Sequence, residues 1–251
     1  MRKAFGICAA LLCVGVLLSP TSSLASSISV SGVVHCSGGG VVGVWIQSTG
    51  GGSKFAGWRP FNTSAADATY AATLSTALPT KLQLRVGCGG SKAKWGTTNN
   101  SPYRSATGSK VMNAFCDGRG ACAWPRKGKT TSANLGYTKQ CTEGAFNEWH
   151  TYTGFWPYWR GNAAEWSTSA AAYGYSVTTV AMPKSVVVFP ATTKNPAGHV
   201  AWVDSISQSS SGAITLNVIE ENYDGTASKP TGHIRRYSYA ASSTYRYIPA
   251  P

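Results

Sequence analysis

Cysteine is the residue type that most limits what this chain can fold into. The sequence of 251 residues contains seven cysteines, and two of them lie in an apolar segment before residue 26 that we interpret as a removable leader. Five cysteines remain in the rest of the chain: Cys36, Cys88, Cys116, Cys122 and Cys141. Outside the cytoplasm cysteines are expected to pair, so an odd number leaves one thiol to be explained. The spacing favours the bridges Cys36–Cys88 and Cys116–Cys122, which leaves Cys141 free.

The first 25 residues have the organisation of a secretory signal peptide. Arg2 and Lys3 precede an uncharged run from Ala4 to Leu18, and the small-residue pattern Ser23-Leu24-Ala25 follows. This pattern predicts that residues 1–25 are removed and that the chain is exported. A membrane anchor is the alternative, but the run is too short to span a bilayer comfortably. We therefore expect a secreted protein, extracellular or associated with a cell wall, with no transmembrane segment in the mature chain.

Basic residues outnumber acidic ones, mainly in the first half of the chain. The 22 Lys and Arg against 9 Asp and Glu give a formal charge of +13. Asp67 is the only acid before Asp117, whereas eight Lys and Arg lie between Lys54 and Lys110. Such a balance favours an anionic partner, either nucleic acid or a surface polymer. Because an exported chain does not meet cytoplasmic nucleic acid, we predict that the N-terminal half binds an anionic cell-wall polymer and no nucleic acid.

Residues 27–107 have the pattern of an all-β module. Ile28–Ser31 and Leu82–Val86 alternate between apolar and polar residues, and Val41–Ile46 is a short apolar run. Glycine triplets at 38–40 and 50–52 separate these runs, as turns between short strands would. A change in composition around Asn99–Pro102 predicts a linker. The predicted fold of this part is a basic β-sandwich-like module.

Residues 115–251 predict an α+β domain. Residues 140–150 and 162–173 have helical patterns, and Gly174 is placed to end the second helix. Strand-like runs follow at residues 185–189, 200–203 and 214–220. Helices followed by a series of strands favour N-terminal helices packed on an antiparallel sheet over alternating βαβ units.

Cys141 is the candidate nucleophile, and His199 is the candidate base. The predicted helix begins near Cys141, where the positive end of the backbone dipole would stabilise a thiolate. His199 opens a strand, and a histidine at the mouth of a strand is well placed for a site. His150 lies nine residues beyond Cys141 on the same predicted helix, too far to reach it. His233 is the second candidate for the base.

An orienting partner for the histidine is predicted on the strand that starts at Ile214. Side chains alternate along a strand, so Glu220 and Asn222 would share the apolar, inward face, while Glu221 would point away. Buried polar groups need partners, and an imidazole would supply one. Glu220 is the favoured orienting residue, and Asn222 either takes that role or supports the site.

Four short motifs follow one another between residues 116 and 225: Gln140-Cys141-Thr142, Gly161-Asn162-Ala163-Ala164-Glu165-Trp166, Gly198-His199-Val200-Ala201 and Glu220-Glu221-Asn222. In this order they resemble the CHAP family, the cysteine, histidine-dependent amidohydrolases and peptidases, which are papain-like in architecture. The resemblance implies cleavage of amide bonds in peptidoglycan peptides, with Cys141 as nucleophile, His199 as base, and Glu220 or Asn222 orienting the imidazole. Many members carry an aromatic residue where Glu143 and Gly144 stand here.

Two further groups are candidates for substrate contacts. The Cys141 backbone N–H, together with the Gln140 side chain, is the candidate oxyanion site. The aromatic segment Phe155–Trp159 is the candidate groove wall, with Trp159 as its strongest member, although packing against the core would explain the segment equally well.

We predict no metal and no other cofactor. The spacing Cys116-x5-Cys122 differs from that of zinc ligand pairs, and the acids near Asp117 are too few for calcium. A non-catalytic wall-binding or adhesion protein that recognises muropeptides is the alternative to a hydrolase. Such a protein would be expected to have lost Cys141 or His199, and both are present.

Overall fold

The computed structural model describes residues 25–226 and 228–251. The predicted signal segment, with Cys8 and Cys13, lies outside the described residues except for Ala25. Within the described ranges, none of the helices has the length and apolar character needed to cross a membrane. The described residues are mostly β-structure, with two α-helices among them.

Eleven strands build the N-terminal half: β1 (Ser26–Cys36), β2 (Val41–Ser48), β3 (Ser53–Phe55), β4 (Gly57–Pro60), β5 (Asp67–Thr76), β6 (Thr80–Gly90), β7 (Trp95–Asn100), β8 (Arg104–Ala106), β9 (Lys110–Val111), β10 (Ala114–Cys116) and β11 (Cys122–Ala123). One sheet has the order β11-β10-β1-β5-β4, with β9 beside β1. The other has the order β3-β2-β6-β7, with β8 beside β6. Apolar residues of both sheets pack in one cluster, since alternation turns one face of each strand inward. The Cys36–Cys88 disulfide links β1 to β6.

The N-terminal sheets extend further along the chain than residue 107. Strand β10 pairs in parallel with β1, with Ala114 opposite Val34, and β11 pairs with β10. The second disulfide, Cys116–Cys122, therefore belongs to this part, and a second domain starting at residue 115 is too early. The linker predicted at Asn99–Pro102 is also wrong. Asn99 has no exposed surface and donates to the Val86 carbonyl, so these polar residues are buried hydrogen-bonding groups of the sheet.

The remaining elements are β12 (Thr130–Thr131), α1 (Cys141–Thr153), β13 (Trp156–Pro157), a 3₁₀ turn (Ala163–Glu165), α2 (Trp166–Ala172), β14 (Ser185–Phe189), β15 (His199–Gln208), β16 (Ile214–Glu221), β17 (Ile234–Ala240) and β18 (Arg246–Pro249). The last five strands form an antiparallel sheet in the order β17-β16-β15-β14-β18. The apolar residues of α1 pack on one face of this sheet, including Phe146 and Trp149. Strands β17 and β18 had no counterpart in the sequence prediction.

The other face of the C-terminal sheet packs against the N-terminal half. Val33 and Phe61 from the N-terminal half share one buried cluster with Val203 and Leu216. Asn113 joins the two parts at this contact. Its side-chain oxygen accepts from the Val33 N–H at 3.1 Å, and its amide donates to the Pro183 carbonyl at 2.7 Å. The two halves are therefore packed through a common apolar core.

Candidate active site

Helix α1 begins at Cys141, directly after a sharp turn of the chain. Lys139 adopts φ 60°, and Gln140 is extended at φ −109° and ψ 161°. The Lys139 N–H donates to the carboxylate of Glu143, in the first turn of the helix. The turn places Cys141 at the positive end of the helix dipole. Cys141 is 9 % exposed and is the only free cysteine among the described residues.

His199 lies between the thiol and a buried carboxylate. Its Nε2 is 2.7 Å from Oε2 of Glu220, and the ring also interacts with the Cys141 side chain. Burial acts to lower the pKa of His199, but the hydrogen bonds and charges of Cys141 and Glu220 outweigh it and raise the pKa to about 9. The imidazole is therefore protonated at neutral pH and held between two acidic groups.

The Glu220 carboxylate is hydrogen-bonded to three side chains of the site. Besides His199, it accepts from Arg235 Nε at 2.7 Å and from the Tyr239 hydroxyl at 3.0 Å to each oxygen. Burial alone would raise the pKa of Glu220, but these hydrogen bonds and the charge of His199 hold it below its ordinary value. The carboxylate stays ionised although its side chain has no exposed surface.

Arg235 and Tyr239 are site residues that the sequence reasoning missed. Both lie on β17, where Arg235 is directly opposite Glu220. The guanidinium lies between two tyrosine rings, 4.0 Å from the ring centre of Tyr223 and 4.3 Å from that of Tyr237. The alternation of Arg235, Tyr237 and Tyr239 could have placed them on one face, but their register against β16 could not be read from the chain. A cavity of about 320 Å³, lined by His199, Arg235 and Tyr239 among others, opens beside the carboxylate.

Asn222 contacts Gln140 instead of the imidazole. It has φ 57°, so the chain leaves the strand there and the alternation that would have placed it beside Glu220 ends. Its Nδ2 donates to Oε1 of Gln140 at 2.7 Å, and its Oδ1 accepts from the Thr231 N–H at 2.9 Å. Asn222 therefore fixes the residue that immediately precedes Cys141.

Comparison with known proteins assigns this region to a family. The family model described as "CHAP domain" matches residues 131–222. This segment of the chain is a CHAP domain. The chain is also similar to the staphylococcal secretory antigen SsaA of Staphylococcus aureus, with 31% identity over 160 residues, which are 64% of this chain and 55% of that protein. The secretory antigen ssaA2 of the same species is 32% identical over 135 residues, 54% of this chain and 44% of that protein.

The chain spans about half the length of the curated relatives it matches. Among solved structures, a crystal structure of N-acetylmuramoyl-L-alanine amidase from Staphylococcus aureus aligns with a TM-score of 0.34 and 24% identity. That alignment covers 45% of this chain and 31% of the amidase chain.

Trp159 lies in the core of the CHAP domain, so its prediction as a substrate-contacting residue is wrong. It has no exposed surface, and its ring packs edge-on against Phe146, Trp149 and Tyr175 with ring centres 4.7–5.4 Å apart. At this end of the aromatic segment, the alternative explanation, packing against the core, is the correct one. Trp156, earlier in the segment, is partly exposed and stacks on His150 at 4.1 Å.

The other three histidines of the chain have different neighbours. His35 is bonded to Asp67 at 2.7 Å in the N-terminal half, and His150 stacks on Trp156. His233, the second candidate for the base, is bonded to Asp224 at 2.9 Å in an exposed loop. Within residues 25–226 and 228–251, three or more His, Cys, Asp or Glu do not come together as a set that could hold a metal ion.

Position 144 has no room for a side chain, because Glu221 lies directly against it. A methyl group built on Gly144 would come within 2.6 Å of Cβ of Glu221, so β16 passes directly against the first turn of α1. Glu221 does point away from the Glu220 side of the strand, but it is only 6 % exposed because the helix covers it. Burial, together with the negative charge of Glu143, raises the pKa of Glu221 to about 7.

Glu221→Gln is expected to stabilise the protein at pH 8 and to have little effect at pH 4. A carboxyl group whose pKa is raised in the folded state costs stability as pH rises from its unfolded value, near 4.3, to about 7. The amide removes this cost without changing shape. Melting curves of the variant and the native chain at both pH values measure the effect, and an equal change at both would contradict it.

Proposed function

We propose that this chain is an exported hydrolase that cleaves amide bonds of peptidoglycan peptides, with Cys141 as its nucleophile. The observation that carries the proposal is that His199 lies beside the Cys141 thiol at a helix N-terminus and is hydrogen-bonded to the buried Glu220. A thiol, an imidazole and an orienting acid in this order are the parts that thiol-dependent acyl transfer requires. The CHAP domain supports the choice of peptidoglycan as substrate.

The reaction proceeds in two acyl transfers. The Cys141 thiolate attacks the amide carbonyl carbon, and the His199 imidazolium gives its proton to the leaving nitrogen as the C–N bond breaks. The products of this step are a free amine and a thioester on Cys141. His199, now neutral, takes a proton from water, whose oxygen attacks the thioester and releases the carboxylic acid. The thiolate and the imidazolium are then restored.

Glu220 acts on this reaction through His199. Its carboxylate keeps the imidazole in one orientation and favours the charged ring, so a proton is available at the start of the reaction. Arg235 and Tyr239 hold the carboxylate in place and keep it ionised. They are positioning residues, since they act on Glu220 and not on the substrate.

The Cys141 N–H and Gln140 form the proposed oxyanion site. The negative oxygen of the tetrahedral intermediate would lie at the N-terminus of α1, where backbone N–H groups are available. Asn222 holds the Gln140 carbonyl oxygen and so sets the direction of the whole side-chain amide.

Asn222→Ala is expected to lower kcat about 10-fold, less than the 10²-fold typical of losing an oxyanion donor. The variant keeps the Gln140 amide but removes the hydrogen bond from Asn222 that helps to orient it. A Gln140→Ala variant should be the more damaging, and the double variant should be no worse than Gln140→Ala alone, because both changes act on one group. Additive losses in the double variant would contradict this role for Asn222.

Export and a surface partner complete the proposal. Two disulfides beside a free thiol fit an oxidising compartment, and the similar staphylococcal proteins carry the name secretory antigen. The excess of basic residues in the N-terminal half fits binding to an anionic cell-wall polymer.

Mass spectrometry of purified walls treated with the full chain tests the proposal. We expect soluble fragments with new amino and carboxyl ends, whose identity names the bond that is cut. The control is the same protein alkylated at Cys141, which should release none. If the native protein pellets with walls and still generates no new ends, the alternative of a non-catalytic muropeptide-binding protein is favoured.

A further inference from the structure

Four aromatic side chains contact one another in the N-terminal half: three lie on the outward side of one sheet, and the fourth, Trp58, also packs against the buried core. Trp45, Phe55 and Trp95 belong to the sheet β3-β2-β6-β7, and Trp58 lies on the neighbouring strand β4. Along β2 and β6 the core positions alternate with outward positions, and Trp45 is one of the outward ones. We call this surface the aromatic face.

Trp95 lies across the backbone of two glycines on this face. A methyl group built on Gly43 would come within 2.5 Å of the Trp95 ring, and one built on Gly87 within 2.4 Å. Any other residue at either position would therefore displace the ring. The two glycines allow an indole to cover the sheet from outside without entering the core.

The aromatic rings contact one another and remain partly exposed. Phe55 is at the centre, with ring-centre distances of 6.2 Å to Trp45, 6.1 Å to Trp95 and 5.4 Å to Trp58. Each of the four keeps part of its surface accessible to solvent. A cluster of aromatic rings that stays partly open to solvent is a candidate binding surface.

Basic and amide groups surround the aromatic face. Arg85 is directly opposite Trp45 in the sheet, and Lys92 places its Nζ 5.5 Å from the ring centre of Trp58. Gln47 and Gln83 are paired beside Trp45 and Arg85 on the same outward side. The only acid of this part before residue 117, Asp67, is nearly buried and bonded to His35. The surroundings of the face are therefore positively charged.

We infer that the aromatic face binds an anionic glycan strand. Flat indole rings stack on the apolar C–H face of a sugar ring, while amides bond its hydroxyl and acetamido groups. Arg85 and Lys92 bind carboxylate groups carried by the sugars. The choice of a wall glycan as the polymer rests on the proposed function, whereas the face itself is independent of the active site.

Equilibrium binding of the full chain to three soluble probes tests the inference. The first probe is glycan strands freed of peptides, in which the muramic acid residues carry free carboxylates. The second is the uncharged hexamer of N-acetylglucosamine, and the third is polyphosphate, an anion without sugars. We expect the glycan strands to bind at least about 10-fold more tightly than either other probe, because only they satisfy both aromatic and basic groups.

Substitutions on the aromatic face separate stacking from charge. Trp45→Ala and Arg85→Gln should each weaken binding of glycan strands about 10-fold, while melting temperatures stay unchanged because both side chains lie outside the core. Trp95→Tyr, which keeps an aromatic ring over the glycines, should bind more tightly than Trp95→Ala. The matched controls Tyr152→Ala and Lys194→Gln, in the C-terminal half, should bind as the native chain does.

The outcomes distinguish this inference from the proposed hydrolase activity. Polyphosphate binding equal to glycan binding, unaffected by Trp45→Ala, would overturn the inference in favour of simple charge attraction. If the uncharged hexamer bound equally well, the inference that the ligand must be anionic would be overturned. If the glycan strands did not bind, the whole inference would be overturned. Cleavage of short soluble muropeptides by the Trp45→Ala variant should remain at the native rate, so a failure of the active-site proposal would appear in that assay alone.

Discussion

Cys141→Ala is expected to reduce the rate of wall hydrolysis by at least about 10³-fold, the largest effect of any single change in this chain. The substitution removes the atom that forms the thioester, and neither His199 nor the helix N-terminus supplies another nucleophile. The rate of release of new amino ends from purified walls measures the effect. The melting temperature should change little, since the side chain that is lost is small and lies at the edge of the core.

A thiol reagent provides an independent control for Cys141. The other cysteines of the described chain are paired, so iodoacetamide should label Cys141 in the native protein. Activity should be lost at the same rate as the label is incorporated. His199→Ala should slow both labelling and hydrolysis, because it removes the imidazole that lies beside the thiol and protonates the leaving nitrogen. Undiminished hydrolysis by Cys141→Ala would rule out the proposed mechanism.

Glu220→Gln is expected to lower kcat/KM about 10²-fold and to move the alkaline limb of its pH profile to lower pH. In the native protein the pKa of His199 is about 9, so the protonated ring that supplies the leaving-group proton is lost only as pH rises through that value. An amide at position 220 keeps the side-chain shape but removes the negative charge that favours the imidazolium. The pH dependence of kcat/KM for a soluble muropeptide, measured between pH 6 and about pH 10, tests both effects.

Glu221→Gln is the matched control for Glu220→Gln. The two residues are adjacent, both are buried, and the substitution is the same, but Glu221 faces α1 whereas Glu220 faces His199. We expect Glu221→Gln to leave the position of the alkaline limb unchanged. If Glu221→Gln proves the more damaging of the two, the assignment of the orienting carboxylate is incorrect.

The parts of the site that follow local rules were accessible from the sequence. The odd number of cysteines and a helix start pointed to Cys141, the strand opening pointed to His199, and alternation along β16 separated Glu220 from Glu221. The resemblance to CHAP proteins linked these residues in one order. Each of these arguments uses neighbours within about one element of secondary structure.

Features that depend on pairing between distant segments were not accessible. Arg235 reaches Glu220 only because β17 returns beside β16 in a particular register, after a loop of twelve residues between Glu221 and Ile234. Asn222 leaves the strand through a left-handed backbone conformation, which alternation does not anticipate. The predictions for Trp159 and for a linker at Asn99 are wrong because composition gives only the polarity and size of a side chain, whereas packing decides whether that side chain is buried.

The apolar cluster shared by the two halves limits how this protein can be recombined with its relatives. Val33 and Phe61 cover the side of the C-terminal sheet that bears Leu216, and Glu220 projects from that same side of β16. A chimaera that keeps only the C-terminal half would expose this surface to water and loosen the strand that carries the orienting carboxylate. Both halves should therefore unfold in one cooperative thermal transition. A functional chimaera should take the contact residues of both halves from the same parent.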